Sequence, residues 1–283
     1  LQGDTSLNIK SNVCDMGHEH TKTMLDILYG KVKSVKGQYK KFYKEYLGIA
    51  KKGFDVIGID NDLRSFFFGK DGSTVWVKKR LIKKHKKFKH HNIDIRNISG
   101  LKKIFSKYRK NISLVIHCAA QPSHDYGKNF PILDFNVNAT GTLNLLEMTK
   151  KFCPNSPFIF MSTNKVYGDN PNNLKLIEKS KRWELKKDHR YYKGINENFS
   201  IDNCTHSFFG VSKTYADLIV QEYDKNVGLK TVSFRGGCIT GPNHSGAKLH
   251  SFLSYLVKTG ISKKEYSLIG YKGKQVRDNL HSH

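Results

Sequence analysis

The chain has 283 residues, of which 49 are Lys or Arg and 24 are Asp or Glu, leaving a formal charge of +25 at neutral pH. With 38% hydrophobic and 12% aromatic residues it can bury a sizeable core, so the charge does not mark a disordered chain. No apolar run reaches the roughly 18 to 20 residues of a membrane-spanning helix, and the first residues lack the basic-then-apolar pattern of a signal peptide, so a cytoplasmic protein with no membrane partner is expected.

Residues 1–46 form an atypical N-terminal segment. They hold one helical pattern at Thr21–Tyr29 and a Lys/Tyr-rich stretch, Val35–Tyr46, that can run into a helix ending near Lys52. Cys14, His18 and His20 stand close together, but a structural zinc site needs four ligands and no second pair is nearby, so no metal is expected. The five cysteines are scattered without a CxxC pair and read as reduced thiols.

From Gly53 onward short β-branched runs alternate with longer helical patterns, which is the rhythm of βαβ units and a parallel sheet. Strands are expected at Asp55–Asp60, Asn92–Ile95, Ser113–Ala119, Phe158–Ser162 and Thr231–Phe234, each apolar as a strand buried on both faces should be. Helices are expected at Leu101–Tyr108, Phe135–Phe152 and Ser207–Asn226, where apolar residues recur at three and four and a Gly, Pro or Asn follows. The densest basic stretch, Lys78–Lys89, reads as a solvated helix or loop. No nucleic-acid partner is expected, because only eight of the 49 basic residues are Arg and the guanidinium fork is what phosphate and groove recognition favour. After Arg235 the string GGCITGPNHSG leaves the sheet for a second lobe. The expected organisation is therefore a nucleotide-binding domain over 47–235 and a partial substrate lobe over 236–283.

Open α/β sheets bind ligands at the carboxyl ends of their strands. Those ends carry Asp60 and Asn61, then Asp94 and Ile95, then Ala119, Ala120 and Gln121, then Ser162, Thr163 and Asn164. A carboxylate such as Asp60 at the end of a second parallel strand is where a dinucleotide fold holds the adenosine ribose.

The strings FDVIGIDND, NIDIRN, LVIHCAAQ, FNVNATGTLNLLE, FIFMSTNKVYGD, HSFFGVSKTYAD and GKQVRDNLH occur in one order over roughly residues 47–283. Together they resemble the extended short-chain dehydrogenase/reductase family, specifically its NAD-dependent nucleotide-sugar epimerases and dehydratases. STNKVYGD, HSFFGVSK and GKQVRD are most similar to the branch that inverts C2 of a CDP-activated dideoxyhexose. Other 4-epimerases, 4,6-dehydratases and a catalytically impaired sugar-nucleotide-binding homologue remain alternatives, although Asn164 and Lys165 stand where a dehydratase of this family carries an acidic pair.

The resemblance implies a Rossmann-like doubly wound α/β fold with a small C-terminal substrate lobe, NAD as cofactor, a nucleotide-sugar substrate and a homo-oligomer. It implies that Asp60, Asn61, Asp94, Ile95, Ala119, Ala120, Gln121, Asn136, Ser162 and Lys213 face the cofactor. Ser123, Asn164, Tyr167, Asn243 and Arg277 would face the substrate, with Arg277 on the diphosphate. Thr163 matches the family's catalytic Ser/Thr, and Lys213 matches the Lys of its YxxxK motif, whose charge lowers the pKa of a Tyr one helical turn earlier. Here that position is Phe209, which has no proton to exchange. Tyr167, the Tyr191–Tyr192 pair and His124 are the candidates for a replacement acid/base, and imidazole has the most suitable ordinary pKa.

The family's GxxGxxG turn, whose amides cradle a pyrophosphate, has no counterpart in the sequence. Both chain ends are expected to be atypical or incomplete, as in a partial or rearranged chain. NAD should accordingly bind this chain weakly. Calorimetric titration is expected to give a dissociation constant above the micromolar range, weakened further in Asp60→Ala.

Overall fold

The computed structural model describes residues 54–241, 244–248, 250, 252–267, 270–276 and 278–281. The N-terminal helical patterns, Cys14, His18, His20, Asn243 and Arg277 lie outside these residues.

Two parallel sheets form the frame. The first pairs β1 (Val56–Ile59) with β2 (Phe88–His91), with Val56 opposite Phe88. The second holds β3 (Val115–His117), β4 (Phe158–Met161) and β7 (Thr231–Phe234) in the order β3-β4-β7. No described strand pairs with the outer edge of β1 or of β3. An antiparallel hairpin, β5 (Leu176–Glu178) and β6 (Trp183–Leu185), follows β4. Past β7, β8 (Cys238–Thr240) pairs in parallel with β9 (Asn279–His281).

The helices cross between strands, as parallel pairing requires. They are α1 (Leu63–Phe68), α2 (Val75–Lys84), α3 (Ile98–Tyr108), α4 (His124–Asn129), α5 (Pro131–Phe135), α6 (Gly141–Phe152), α7 (Ser207–Val227) and α8 (Phe252–Ile261). Asn97 starts α3 by accepting from the Gly100 amide at 2.9 Å, satisfying one of the orphan donors of its first turn. A π-helical turn, Asn136–Thr140, joins α5 to α6. The helix expected over Phe135–Phe152 therefore begins earlier, at Pro131, where the missing amide costs nothing.

One expected strand is displaced. Residues Asn92–Ile95 lie in the connection after β2, and the strand is Phe88–His91 instead, because these are the residues that register against Val56–Ile59. The polar string FKHH conceals a strand whose apolar partner lies on β1. The basic stretch Lys78–Lys89 thus divides between α2 and the start of β2. β3 is also shorter than Ser113–Ala119, so Cys118, Ala119 and Ala120 fall in the turn at its carboxyl end.

The core lies between the strands and α3, α6 and α7. Leu101, Leu146, Phe158, Ala216 and Val220 are wholly inaccessible, with Phe105, Leu145, Phe160 and Leu229 around them. Each such large side chain contributes about 1.5–3 kcal/mol by leaving water. A Cβ on Gly141 would collide with the Ile95 side chain, so only glycine lets α6 approach so closely.

An ion pair at the end of β7 closes this core. Arg235 reaches Asp217 on α7 through Nη2 at 2.7 Å and Nε at 3.2 Å, and its Nη1 donates to the Tyr167 hydroxyl at 3.2 Å. Burial works against the Arg235 charge, but the hydrogen bonds and charge of Asp217 outweigh it and hold the pKa above that of ordinary arginine. Asp217 has no exposed side-chain surface, so Asp217→Asn strands a guanidinium. It is expected to lower unfolding stability by about 3–5 kcal/mol, measured by urea denaturation. The apolar double replacement, Asp217→Leu with Arg235→Met, should cost less than the single change.

Candidate active site

The site begins at the carboxyl end of β4. Ser162 follows that strand, and its buried hydroxyl has no hydrogen-bond partner among the described residues. Thr163 then caps a short 3-10 turn, Asn164–Tyr167, accepting from the Lys165 amide at 3.2 Å. Its hydroxyl reaches the Asn164 side-chain oxygen at 3.5 Å, and the Asn164 amide donates to Gly236 past β7 at 2.9 Å.

Beneath this edge lies Lys213 of α7, 4% exposed. Its Nζ donates to the Met161 carbonyl at 2.9 Å and sits 4.1 Å from the centre of the Phe160 ring. Burial pushes the ammonium down to about 8, against the opposing pull of Asp217, Cys118 and Asp134. Burial, helped by the same cation, drives His117 down to about 3. The Thr142 hydroxyl spends its proton on the Asn138 carbonyl, so His117 Nε2 must donate to Thr142 at 2.8 Å.

Phe209, one helical turn before Lys213, is buried, and the His124 ring meets it edge-on with centroids 5.0 Å apart. Gly127 lets α4 lie close to α7: a Cβ there would stand 3.1 Å from both the Phe209 backbone nitrogen and the Asp134 carboxylate. Ser123 starts α4 by accepting from the Tyr126 amide, and His124 Nδ1 lies 2.9 Å from the Ser207 hydroxyl on α7.

A buried polar network holds these parts together. Gln121 donates to the Asp134 carboxylate at 2.6 Å and accepts from the Ser123 amide. Asn138 accepts from the Gln121 amide at 2.9 Å and donates to Ser212 at 3.0 Å, while Ser212 donates to Asp134. Burial raises the Asp134 pKa, and the bonds from Ser212, Gln121 and Asn138 oppose the shift.

Sequence reasoning missed Asp134, Asn138, Ser212 and Ser207. Asp134 and Asn138 stand one helical turn apart, a signal the helical pattern contained. Asn136, two residues from Asn138, instead accepts from Thr140 within the π turn.

The remaining residues separate into groups. Asn61 donates to Asp94 at 2.8 Å, and Arg96 binds the same carboxylate at 2.9 and 2.7 Å. Burial pushes the Asp94 carboxyl up, but the hydrogen bonds and charge of Arg96 prevail and hold it below the usual range. Asp60 is exposed and accepts from the Asp62 amide at 2.8 Å; Ile95 is buried; Ala119 and Ala120 are half-buried beside exposed Cys118. Tyr167 is buried, its hydroxyl bound to Arg235 and donating to the Asn196 carbonyl at 3.3 Å, and burial raises its pKa. Tyr191 packs with Tyr192, Leu185 and Phe199 in a separate cluster beneath the hairpin. Among the described residues no ring contact joins Tyr167 or Tyr191 to Phe209, whereas the His124 ring packs on it.

Parallel strands with crossing helices and small or polar residues at their carboxyl ends define a Rossmann-like α/β protein. The description "NAD dependent epimerase/dehydratase family" matches residues 48–283, and the chain belongs to that family. It is 33% identical over 195 residues to CDP-paratose 2-epimerase of Salmonella typhi, covering 67% of this chain and 55% of that protein. It is 36% identical over 124 residues to UDP-glucuronate 4-epimerase of Thermodesulfobacterium geofontis, covering 44% and 36%. Among solved structures, dTDP-glucose 4,6-dehydratase of Bacillus anthracis in complex with NAD is similar at TM-score 0.60 and 21% identity, over 86% of this chain and 64% of that one. UDP-glucose 4-epimerase of Thermotoga maritima gives TM-score 0.60 and 20% identity, over 85% and 65%. The chain spans about half the length of the curated relative it matches over the longest stretch with more than 30% identity.

The Lys213 cation yields a test. The unfolded chain keeps this proton to about pH 10.5 and the folded one only to about 8. Between those values the unfolded state binds more protons, so stability rises with pH; below 8 the full cost of the buried charge stands. Lys213→Met should therefore be the more stable protein at pH 7, by up to about 3 kcal/mol. Melting curves from pH 7 to 10.5 should show the gap closing.

Proposed function

We propose that this protein is an NAD-dependent nucleotide-sugar epimerase that inverts C2 of a CDP-activated dideoxyhexose, converting CDP-paratose to CDP-tyvelose, with His124 as the acid/base. The observation that carries this reading is the packing of His124 against Phe209, one turn from Lys213, where a proton-exchanging side chain is needed and Phe supplies none. The likeness to CDP-paratose 2-epimerase supports the choice of sugar and nucleotide. Asn164 and Lys165, which cannot act as an acidic pair, count against dehydration.

The residues fit the cofactor in part. The orphan hydroxyl of Ser162 and the Lys213 ammonium would hold its nicotinamide ribose end, and Asp60 with the Asn61–Asp94 pair its adenosine end, while among the described residues no Gly-rich turn offers amides to the diphosphate. NAD, when bound, would supply the acceptor and donor for a hydride at C2. His124 removes the C2 hydroxyl proton as the hydride leaves and restores it when the hydride returns, so protons and electrons balance over the cycle. Thr163 donates to the sugar oxygen and positions it, Lys213 supplies positive charge beneath the ribose, and Tyr167 with Asn164 and Ser123 lines the sugar pocket. The family resemblance assigns Asn243 and Arg277 to the nucleotide, and both lie outside the described residues.

A homo-oligomer is part of this reading. Ile132 and Phe135 on α5, Phe130 just before it, and Phe208, Val211 and Leu218 on α7 expose apolar side chains, with the Phe135 ring meeting Tyr215 of α7, and a second copy would cover them.

Purified protein with NAD and CDP-paratose should form CDP-tyvelose. His124→Ala should lower turnover by about 100- to 10,000-fold, with folding intact by circular dichroism. Phe209→Tyr should leave turnover level or reduced, and a tenfold increase would count against His124. Absence of turnover, with the sugar nucleotide still bound, would favour the impaired homologue. Leu218→Glu should shift sedimentation toward the monomer.

A further inference from the structure

Ser207 occupies a position that its chemistry alone does not explain. It opens α7 with φ +63°, a left-handed conformation that costs a residue bearing a Cβ free energy and that glycine adopts without strain. Its hydroxyl accepts from the Gly210 amide at 3.2 Å, a first-turn bond that glycine at this position would forgo for only a small loss. Stability by itself therefore favours glycine here. What serine adds is its second contact, 2.9 Å from His124 Nδ1 across 83 residues of sequence.

We infer that Ser207 is a positioning residue for His124, and that the strained backbone is retained to aim its hydroxyl at the imidazole. A hydroxyl oxygen has two lone pairs, so Ser207 can accept from the Gly210 amide and from His124 Nδ1–H together. With the proton held at Nδ1, Nε2 is the basic nitrogen of the neutral ring, and that tautomer is the one able to take a proton from a sugar hydroxyl. On protonation Nδ1–H stays in place, so the same contact serves both halves of an epimerisation cycle. The edge-on Phe209 ring packs against the imidazole, 5.0 Å between centroids. This inference rests on the reading of His124 as acid/base, but its structural half concerns the tautomer and can be read without substrate.

The experiment uses Ser207→Gly in the full chain. Nitrogen-15 spectra at a pH where the ring is neutral should show His124 as the Nδ1–H tautomer in the unaltered protein and a shift toward Nε2–H in Ser207→Gly. The variant's melting temperature should be unchanged or higher. Its turnover number should fall by about tenfold or more, short of the 100- to 10,000-fold loss of the base itself, with KM little changed. An Nε2–H tautomer in the unaltered protein, or the same tautomer in both, overturns the inference. Turnover that survives Ser207→Gly but is lost in His124→Ala also overturns it, leaving the proposed function intact. If the unaltered protein converts no sugar, the functional reading fails, and the spectra still decide whether Ser207 sets the tautomer.

Discussion

A carboxylate with almost no access to solvent, Asp134, holds the geometry of this protein's site. Its oxygens take hydrogen bonds from Gln121, after β3, and from Ser212, on α7, while Asn138 bridges the same two partners. An unpaired carboxylate at this depth would cost several kcal/mol, so the three partners cannot drift independently. The segment from Gln121 to α4, the π turn and the first turns of α7 are thereby locked as one body. His124, Phe209 and Lys213 ride on those elements.

Asp134, Asn138 and Thr142 recur at four-residue spacing, which turns them toward one face of the segment over 131–152, and the π turn at Asn136–Thr140 lies within that run. From there the chain of donors runs on to His117, whose buried neutral ring sits under the Lys213 charge. The site thus combines a costly cation with neighbours that are neutral or held by hydrogen bonds. Such an arrangement conserves a function at the expense of stability.

The division of the parallel strands into two sheets sets the outer limits of the site. Ile59 of β1 and Val115 of β3 pack on one core, although no described strand lies between their edges. Asp60, Asn61 and Asp94 therefore stand on one side, and Ser162, Thr163 and Lys213 on the other. The links from Trp76 and Arg64 to Ser245 tie the first side to the residues beyond β8.

Local information in the sequence determined much of this. The alternation of short apolar runs with helical periods, the four-residue spacing of Phe209 and Lys213, and the small or polar residues after each strand depend on near neighbours, and they stand in the structure where those periods put them. β2 escaped because FKHH is apolar only through its partner on β1, and strand pairing is a contact between distant residues. How Tyr167, Tyr191 and His124 stand relative to Phe209 was equally closed to the sequence, since the two tyrosines lie in turns and His124 opens α4, and the directions of all three depend on packing. Tertiary structure alone decided that Arg235 binds the Tyr167 hydroxyl and that the His124 ring packs on Phe209. Ser207 and Asp134 carry no motif, because their roles come from contacts spanning 83 and 78 residues, and such distances are bridged by the packed core rather than by any local period.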